Sequence, residues 1–90
     1  MYYFYILRCA DNSLYCGMTS DLKRRLKEHN SNGTKGAKYT RAKKPVVLVY
    51  SENFPDIQLA MARESEVKKW TKSRKEQLVK GIYIDRLELL

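Results

Sequence analysis

Acidic residues, cysteines and long apolar runs are what this chain has little of. Its 90 residues hold 10 Asp and Glu against 18 Lys and Arg, a formal charge of +8. A field of that sign favours a polyanion, and nucleic acid is the natural case. The two cysteines, Cys9 and Cys16, are too few for a secreted disulfide framework. With one histidine and no Cys-x-x-Cys pair, they offer no zinc site. Both read as small core or strand residues with free thiols. No segment approaches the roughly 18 apolar residues of a spanning helix, and the run Met1–Leu7 lacks the positive leader and cleavage site of a signal sequence. The expected setting is cytoplasmic, with no membrane partner. Repeats, low-complexity segments and linkers are also lacking, so residues 1–90 are expected to form one domain; two halves would each be too small to bury a core.

The elements follow from local chemistry. Residues 2–9 are aromatic and β-branched enough for a strand, Ala10-Asp11-Asn12-Ser13 carries turn residues, and Leu14–Thr19 returns as an antiparallel partner. A three-residue loop Asp11-Asn12-Ser13 would pair Tyr5 with Thr19 and Cys9 with Tyr15, putting Tyr5 and Tyr15 on one face, whereas a two-residue loop would separate them. Thr19 or Ser20 can cap a helix that has Asp21 in its first turn and a narrow Leu22/Leu26 stripe, running to about Asn30. Residues 31–36 read as a flexible loop and 37–41 as a turn of helix. The apolar run Val46–Glu52 reads as a central strand buried on both sides. Pro55-Asp56 opens a long helix in which Ile57, Leu59, Ala60, Ala62, Arg63, Val67 and Trp70 recur with a helical period. A second helix over Ser73–Val79 stops at Gly81. The tail 82–90 allows one more short helix. The fold class is α+β: a three-stranded antiparallel sheet flanked by helices, in the order β-β-α-β-α-α.

Five polar residues stand out against this frame: Tyr5, Tyr15 with Cys16-Gly17 behind it, Arg25, His29 and Glu64. Two phenols, a guanidinium, an imidazole and a carboxylate can together hydrolyse a phosphodiester. The reaction needs charge neutralised on the phosphoryl group, an in-line water and a stabilised leaving oxygen. Arg25 offers a planar fork of donors for non-bridging oxygens. Glu64 is a hard oxygen ligand of the kind Mg²⁺ takes one or two of while keeping several waters. Lys23, Arg24, Lys35, Lys38, Arg41, Lys43 and Lys44 are candidate phosphate contacts, and Lys68, Lys69, Lys72, Arg74 and Lys75 form a further basic block.

The order and spacing of these residues resemble the GIY-YIG nuclease superfamily over nearly the whole chain. Tyr3-Phe4-Tyr5 stands at the first signature and Tyr15-Cys16-Gly17 at the second; Arg25 follows that glycine by eight residues, His29 lies one turn on, and Glu64 sits on a later helix. Tyr3 replaces the family's first glycine, and Met18 stands where some relatives carry lysine. The chain is most similar to the small stand-alone bacterial branch, related to the catalytic subunits of DNA-junction nucleases and to the nuclease domain of an excision-repair protein. The resemblance implies a DNA endonuclease using Mg²⁺ or Mn²⁺, with structure-specific cleavage or DNA repair as its setting. It gives Tyr15 as general base, Glu64 as metal ligand and Gly17 as structural. Tyr5 would bond the phosphate or the attacking water, and His29 would relay a proton or orient Tyr15. A free phenol titrates near 10, so such a base depends on neighbouring positive charge. Such a chain would act with little specificity, take its specificity from a protein partner, or recognise a DNA shape.

Each residue also has a plainer reading. Tyrosines pack in sheets, a histidine near a helix C-terminus suits the dipole, Arg25 is one of several solvated charges, and Glu64 is an i,i+4 partner for Lys68. The rival functions are a nucleic-acid-binding module that keeps the scaffold without cleaving, and a small basic protein that docks on a larger nucleic-acid machine.

Overall fold

The computed structural model describes residues 1–31 and 35–81. The centre of the expected loop and the possible helix in the tail, residues 32–34 and 82–90, lie outside the described residues. The elements are β1 (Tyr2–Arg8), β2 (Leu14–Thr19), α1 (Leu22–Asn30), α2 (Lys38–Arg41), β3 (Val47–Phe54), α3 (Ile57–Lys68) and α4 (Lys72–Val79). The fold is α+β, and the turn of helix expected at 37–41 is present as α2. Among the described residues no helix is long and apolar enough to cross a membrane.

The sheet is antiparallel in the order β2-β1-β3. Its hairpin turns one residue earlier than the sequence pattern suggested. The backbone N–H of Asn12 donates to the Cys9 carbonyl, the Cys9 N–H donates to Ser13, and Asn12 takes a positive φ of 70°. The loop is therefore Ala10-Asp11-Asn12, a turn closed by a left-handed residue, and Asn tolerates that conformation better than Ser13 would. The register moves by two positions: Tyr5 pairs with Gly17 and Leu7 with Tyr15. A two-residue shift preserves the facing of every side chain, so Tyr5 and Tyr15 share a face as expected.

β3 is an edge strand, which corrects the reading of it as central. Val47 and Leu48 are 54% and 39% exposed, while Phe4, Ile6 and Leu7 of β1 are buried. The apolar run of β3 is interrupted by an irregularity between its pairings with Ile6 and Leu7, where Val49 is passed over. One face of the sheet buries Phe4, Ile6 and Cys16 against Val67 of α3 and Leu78 of α4. The other buries Tyr5, Leu7 and Cys9 against Val46, with Leu22 and Leu26 of α1 alongside. Both cysteines are free thiols.

The helix caps are side-chain oxygens near the expected helix starts. The Asp21 side chain accepts from the Arg24 N–H and is the cap of α1, in place of Thr19 or Ser20; Thr19 instead accepts from the Asp21 N–H through its hydroxyl. Asp56 and Thr71 cap α3 and α4, and Gly81, at φ 82°, ends α4. The apolar period of α3 is only partly core: Ala60 and Val67 are buried, whereas Ile57, Leu59 and Met61 are about half exposed. Ala60 brings the helix axis close to the sheet, and that approach leaves the larger residues on the outer side.

Charged pairs tie the helices to the sheet. Arg63 grips Glu52 of β3 through Nε and Nη2, both at 3.0 Å, and Tyr50 donates to the same carboxylate. Arg63 and Arg74 lie on the Trp70 ring. Arg8 of β1 holds Glu76 of α4 with two bonds of 2.8 and 2.7 Å, and Lys72 adds a third at 3.0 Å. These donors pull the Glu76 carboxyl from its ordinary 4.5 down to about 2. The folded state therefore binds that proton less readily than the unfolded chain, so the pair's contribution is complete above about pH 4.5 and disappears as pH falls toward 2. Glu76→Gln is expected to lower stability by about 1–2 kcal/mol at pH 7 and to flatten the acid limb over that window, as read by urea unfolding at stepped pH.

Candidate active site

The hairpin register builds the site. Tyr5 faces Gly17 directly across the strands, and a Cβ on Gly17 would fall 2.5 Å from the Tyr5 Oη. The phenol thus lies over the glycine, and no other residue leaves that space. Leucines 7, 22, 26 and 48 line a concavity that Tyr5 and Arg25 share.

From there a buried polar chain runs through α1 to α2. The Tyr5 Oη and His29 Nε2 share a hydrogen bond of 2.9 Å, and His29 Nδ1 lies 2.9 Å from the Thr40 hydroxyl. The Thr40 hydroxyl also lies 2.9 Å from the Ala37 carbonyl, and the Ala37 N–H donates to His29 Nδ1 at 3.4 Å. His29 is 1% and Thr40 0% exposed. Gly36 permits this contact, since a Cβ there would fall 2.8 Å from the Glu28 carbonyl of α1. Tyr15 stands with its ring edge-on to His29, centroids 5.3 Å apart, and stacks on Tyr39 at 5.7 Å. His29 therefore bonds Tyr5, and Tyr15 is positioned by ring contacts on two sides.

Burial and charge set the protonation states. Burial pushes the Tyr5 phenol up to about 12; Arg25 pulls it down, and Tyr15 and Glu64 push it up again. Burial lowers His29 to about 4, with Arg25 adding to the effect and Glu28 opposing it. At neutral pH Tyr5 keeps its proton and His29 carries no charge. Burial works against the Arg25 charge, yet Glu28 and Tyr5 hold its pKa above the ordinary value. Arg25 Nη1 donates to Glu28 at 2.9 Å and to the Lys35 carbonyl at 2.6 Å.

Glu64 stands apart from this hydrogen-bonded group. It pairs with Lys68 at 3.5 Å, as its i,i+4 spacing allows. Its charge nonetheless reaches both Tyr5 and Cys16, raising the pKa of each beside the larger effect of burial. Among the described residues no three His, Cys, Asp or Glu side chains come together as a metal cage. A single, partly exposed carboxylate suits Mg²⁺ or Mn²⁺, which fill their remaining positions with water and phosphate oxygens, so the donor set fits a metal completed by substrate.

The basic candidates divide. Lys23, Arg24, Lys35, Lys38 and Arg41 are exposed. Lys43 pairs with Asp11 at 3.1 Å and covers the Tyr39 ring at 4.0 Å, and Lys44 donates to the Ser31 carbonyl at 2.8 Å. Those last two side chains hold the loop that carries α2, which makes them poor probes of nucleic-acid binding. Thr40, Tyr39 and Gly36 escaped the sequence reading; the only sign of them was a polar and aromatic cluster in a segment too short to show a period.

Comparison with known proteins places these residues in company. A family model described as the GIY-YIG catalytic domain matches residues 1–77. A UPF0213 protein of Bacillus pumilus is 48% identical over 85 residues, 94% of this chain and 85% of that one. One from Clostridium perfringens is 52% identical over 79 residues, 88% and 83% of the two chains. The solution structure of a UPF0213 protein from Bacillus halodurans superposes with a TM-score of 0.57 at 49% identity, covering 89% of this chain and 84% of that one. That of a protein from E. faecalis gives 0.60 at 46%, covering 89% and 83%.

The Tyr5–Gly17 pair generates a test. Gly17→Ala is expected to destabilise the fold by about 1–3 kcal/mol, the usual range for overpacking, measured by urea unfolding. In a Tyr5→Ala background the same substitution should cost much less, because the atom it strikes is gone. Equal costs in both backgrounds would remove the steric explanation.

Proposed function

The chain belongs to the GIY-YIG catalytic-domain family, and we propose that it is a metal-dependent DNA endonuclease, one catalytic domain working in the cytoplasm. The observation that carries this reading is the buried Tyr5–His29 bond with Arg25 beside it and Tyr15 on the same sheet face. A packing tyrosine has no need of a buried imidazole, and a solvated arginine has no need of a buried phenol.

In the proposed mechanism Arg25 receives a non-bridging phosphoryl oxygen on its free donors, and Tyr5, protonated at neutral pH, hydrogen-bonds the same group. Tyr15, as general base, takes a proton from the water that attacks phosphorus; the new P–O bond forms as the ester P–O bond opposite breaks. Glu64 would hold a divalent ion, Mg²⁺ or Mn²⁺, which would supply charge neutralisation to the reaction. His29 stays neutral and fixes Tyr5. Specificity comes from the shape of branched or damaged DNA, as in a repair role, or from a protein partner. Binding without cleavage is the second reading, favoured by the Glu64–Lys68 pair, which occupies the one candidate ligand.

Two measurements separate these readings. On a panel of branched, flapped, nicked and single-stranded DNA with Mg²⁺ or Mn²⁺, wild-type protein should cleave. Glu64→Gln should lose orders of magnitude while binding metal-free DNA as before, and Tyr15→Phe should lose about 10²-fold or more. No metal-dependent cleavage by wild type, or full activity in Glu64→Gln, would leave the binding module as the better account.

Binding itself should be electrostatic and fall steeply with salt. Replacing exposed Lys23, Lys35 and Lys38 together by Ala should weaken all sequences alike and reduce the slope of log affinity against log salt by about 3, roughly one for each phosphate no longer neutralised. An unchanged slope would move the interface elsewhere.

A further inference from the structure

We propose that His29 is fixed as its Nε2–H tautomer by the Ala37 backbone amide, so that it donates to Tyr5 and leaves the Tyr5 hydroxyl proton free for a phosphoryl oxygen of the substrate. The catalytic consequence rests on the nuclease reading, whereas the tautomer does not.

Two arrangements satisfy the chain of short contacts. In one, His29 Nδ1–H donates to Thr40, Thr40 donates to the Ala37 carbonyl, and the Tyr5 O–H donates to Nε2. The phenol proton is then consumed inside the protein, and Tyr5 can offer substrate only a lone pair. In the other, Nδ1 is an acceptor toward which the Thr40 hydroxyl turns its proton, Nε2–H donates to the Tyr5 oxygen, and the phenol proton points elsewhere.

The Thr40 hydroxyl cannot decide between them, because it rotates and lies 2.9 Å from both Nδ1 and the Ala37 carbonyl. The Ala37 amide can. It points its hydrogen at Nδ1 across 3.4 Å, and a peptide N–H has no second protonation state. A proton on Nδ1 would face that hydrogen and leave a part-buried amide without an acceptor, a loss of the kind native structures avoid.

The other neighbour of Tyr5 acts in the same sense. The Arg25 guanidinium, close enough to the phenol for each to shift the other, carries donors only. With Nε2–H donating on one side and a guanidinium that carries only donors on the other, neither neighbour takes the Tyr5 proton. The phenol lies over Gly17 on edge strand β2, on the sheet face it shares with Tyr15. Ala37 is thus a positioning residue, and the N-cap of α2 acts on the reaction through the tautomer it imposes.

The chain has one histidine, so the imidazole nitrogen spectrum of ¹⁵N-labelled protein belongs to His29 alone. At pH 7 the expected pattern is an unprotonated Nδ1 and a protonated Nε2; a protonated Nδ1 overturns the proposal. Ala37 has φ −64°, which proline shares, so Ala37→Pro removes the amide hydrogen with little change of backbone. It should bring Nδ1–H into the population, and an unchanged tautomer there would contradict the role given to the amide. Thr40→Val should keep the Nε2–H form. Loss of that form would transfer control to the hydroxyl and overturn the assignment to Ala37. If Ala37→Pro does not fold, the wild-type spectrum and Thr40→Val still decide. Absence of cleavage by wild type would leave the spectrum unaffected, so the two claims fail separately.

Discussion

The close approach of the Tyr5 ring to Gly17 across the hairpin is the constraint from which the rest of the site follows. It needs the two residues to be opposite each other, which needs the loop to be Ala10-Asp11-Asn12 with Asn12 in the left-handed region. Once the ring lies over the glycine, its oxygen is carried to His29 of α1, and His29 in turn meets Thr40 of α2. Three elements far apart in sequence are joined by two hydrogen bonds buried enough to be costly to leave unmade. Tyr15 enters the same space because it is two residues from Gly17 and alternation returns it to the same face.

Much of this was legible in the sequence. The hairpin, the helix that follows, the α3 and α4 boundaries and the stop at Gly81 depend on turn and cap chemistry, which acts over a few residues and leaves a local record. The sharing of a face by Tyr5 and Tyr15 was legible too, since any even shift of register preserves it. The register itself was not. Choosing Asn12 over Ser13 for the left-handed position is a difference in tolerance of positive φ that composition shows only weakly. The place of β3 was hidden for another reason: Tyr2–Leu7 and Val46–Tyr50 are both apolar runs, and neither says which strand the other two flank. In α3 two overlapping apolar stripes share the period, and the one with the smaller residues, Ala60 and Val67, won the sheet because it allows closer packing. Thr40 and Tyr39 left only a weak trace because α2 is four residues long and its role is defined by what folds onto it.

Charge is distributed by task. Arg8, Arg63 and Lys43 are held in pairs that fix helices and loops to the sheet, while Lys23, Lys35 and Lys38 remain exposed. The net basic field therefore overstates the number of side chains available to a phosphate backbone. The titratable groups divide similarly: Tyr5 is kept protonated and His29 neutral by burial, which suits one to donating and the other to holding it in place. Glu64, on the helix packed over β1 and β2, raises the Tyr5 pKa without a hydrogen bond to it.

The central claim, that Glu64 and the two phenols form one site around a divalent ion, is tested most directly by titrating Mn²⁺ into ¹⁵N-labelled protein with a short DNA duplex and following paramagnetic line broadening. The account predicts that the amides of Arg63, Glu64 and Ser65 on α3 and of Tyr15, Cys16 and Gly17 on β2 broaden first and together, and that Glu64→Gln abolishes the effect at both. Broadening centred on Asp11 or Asp56, with α3 and β2 unaffected around Glu64 and Gly17, would contradict it.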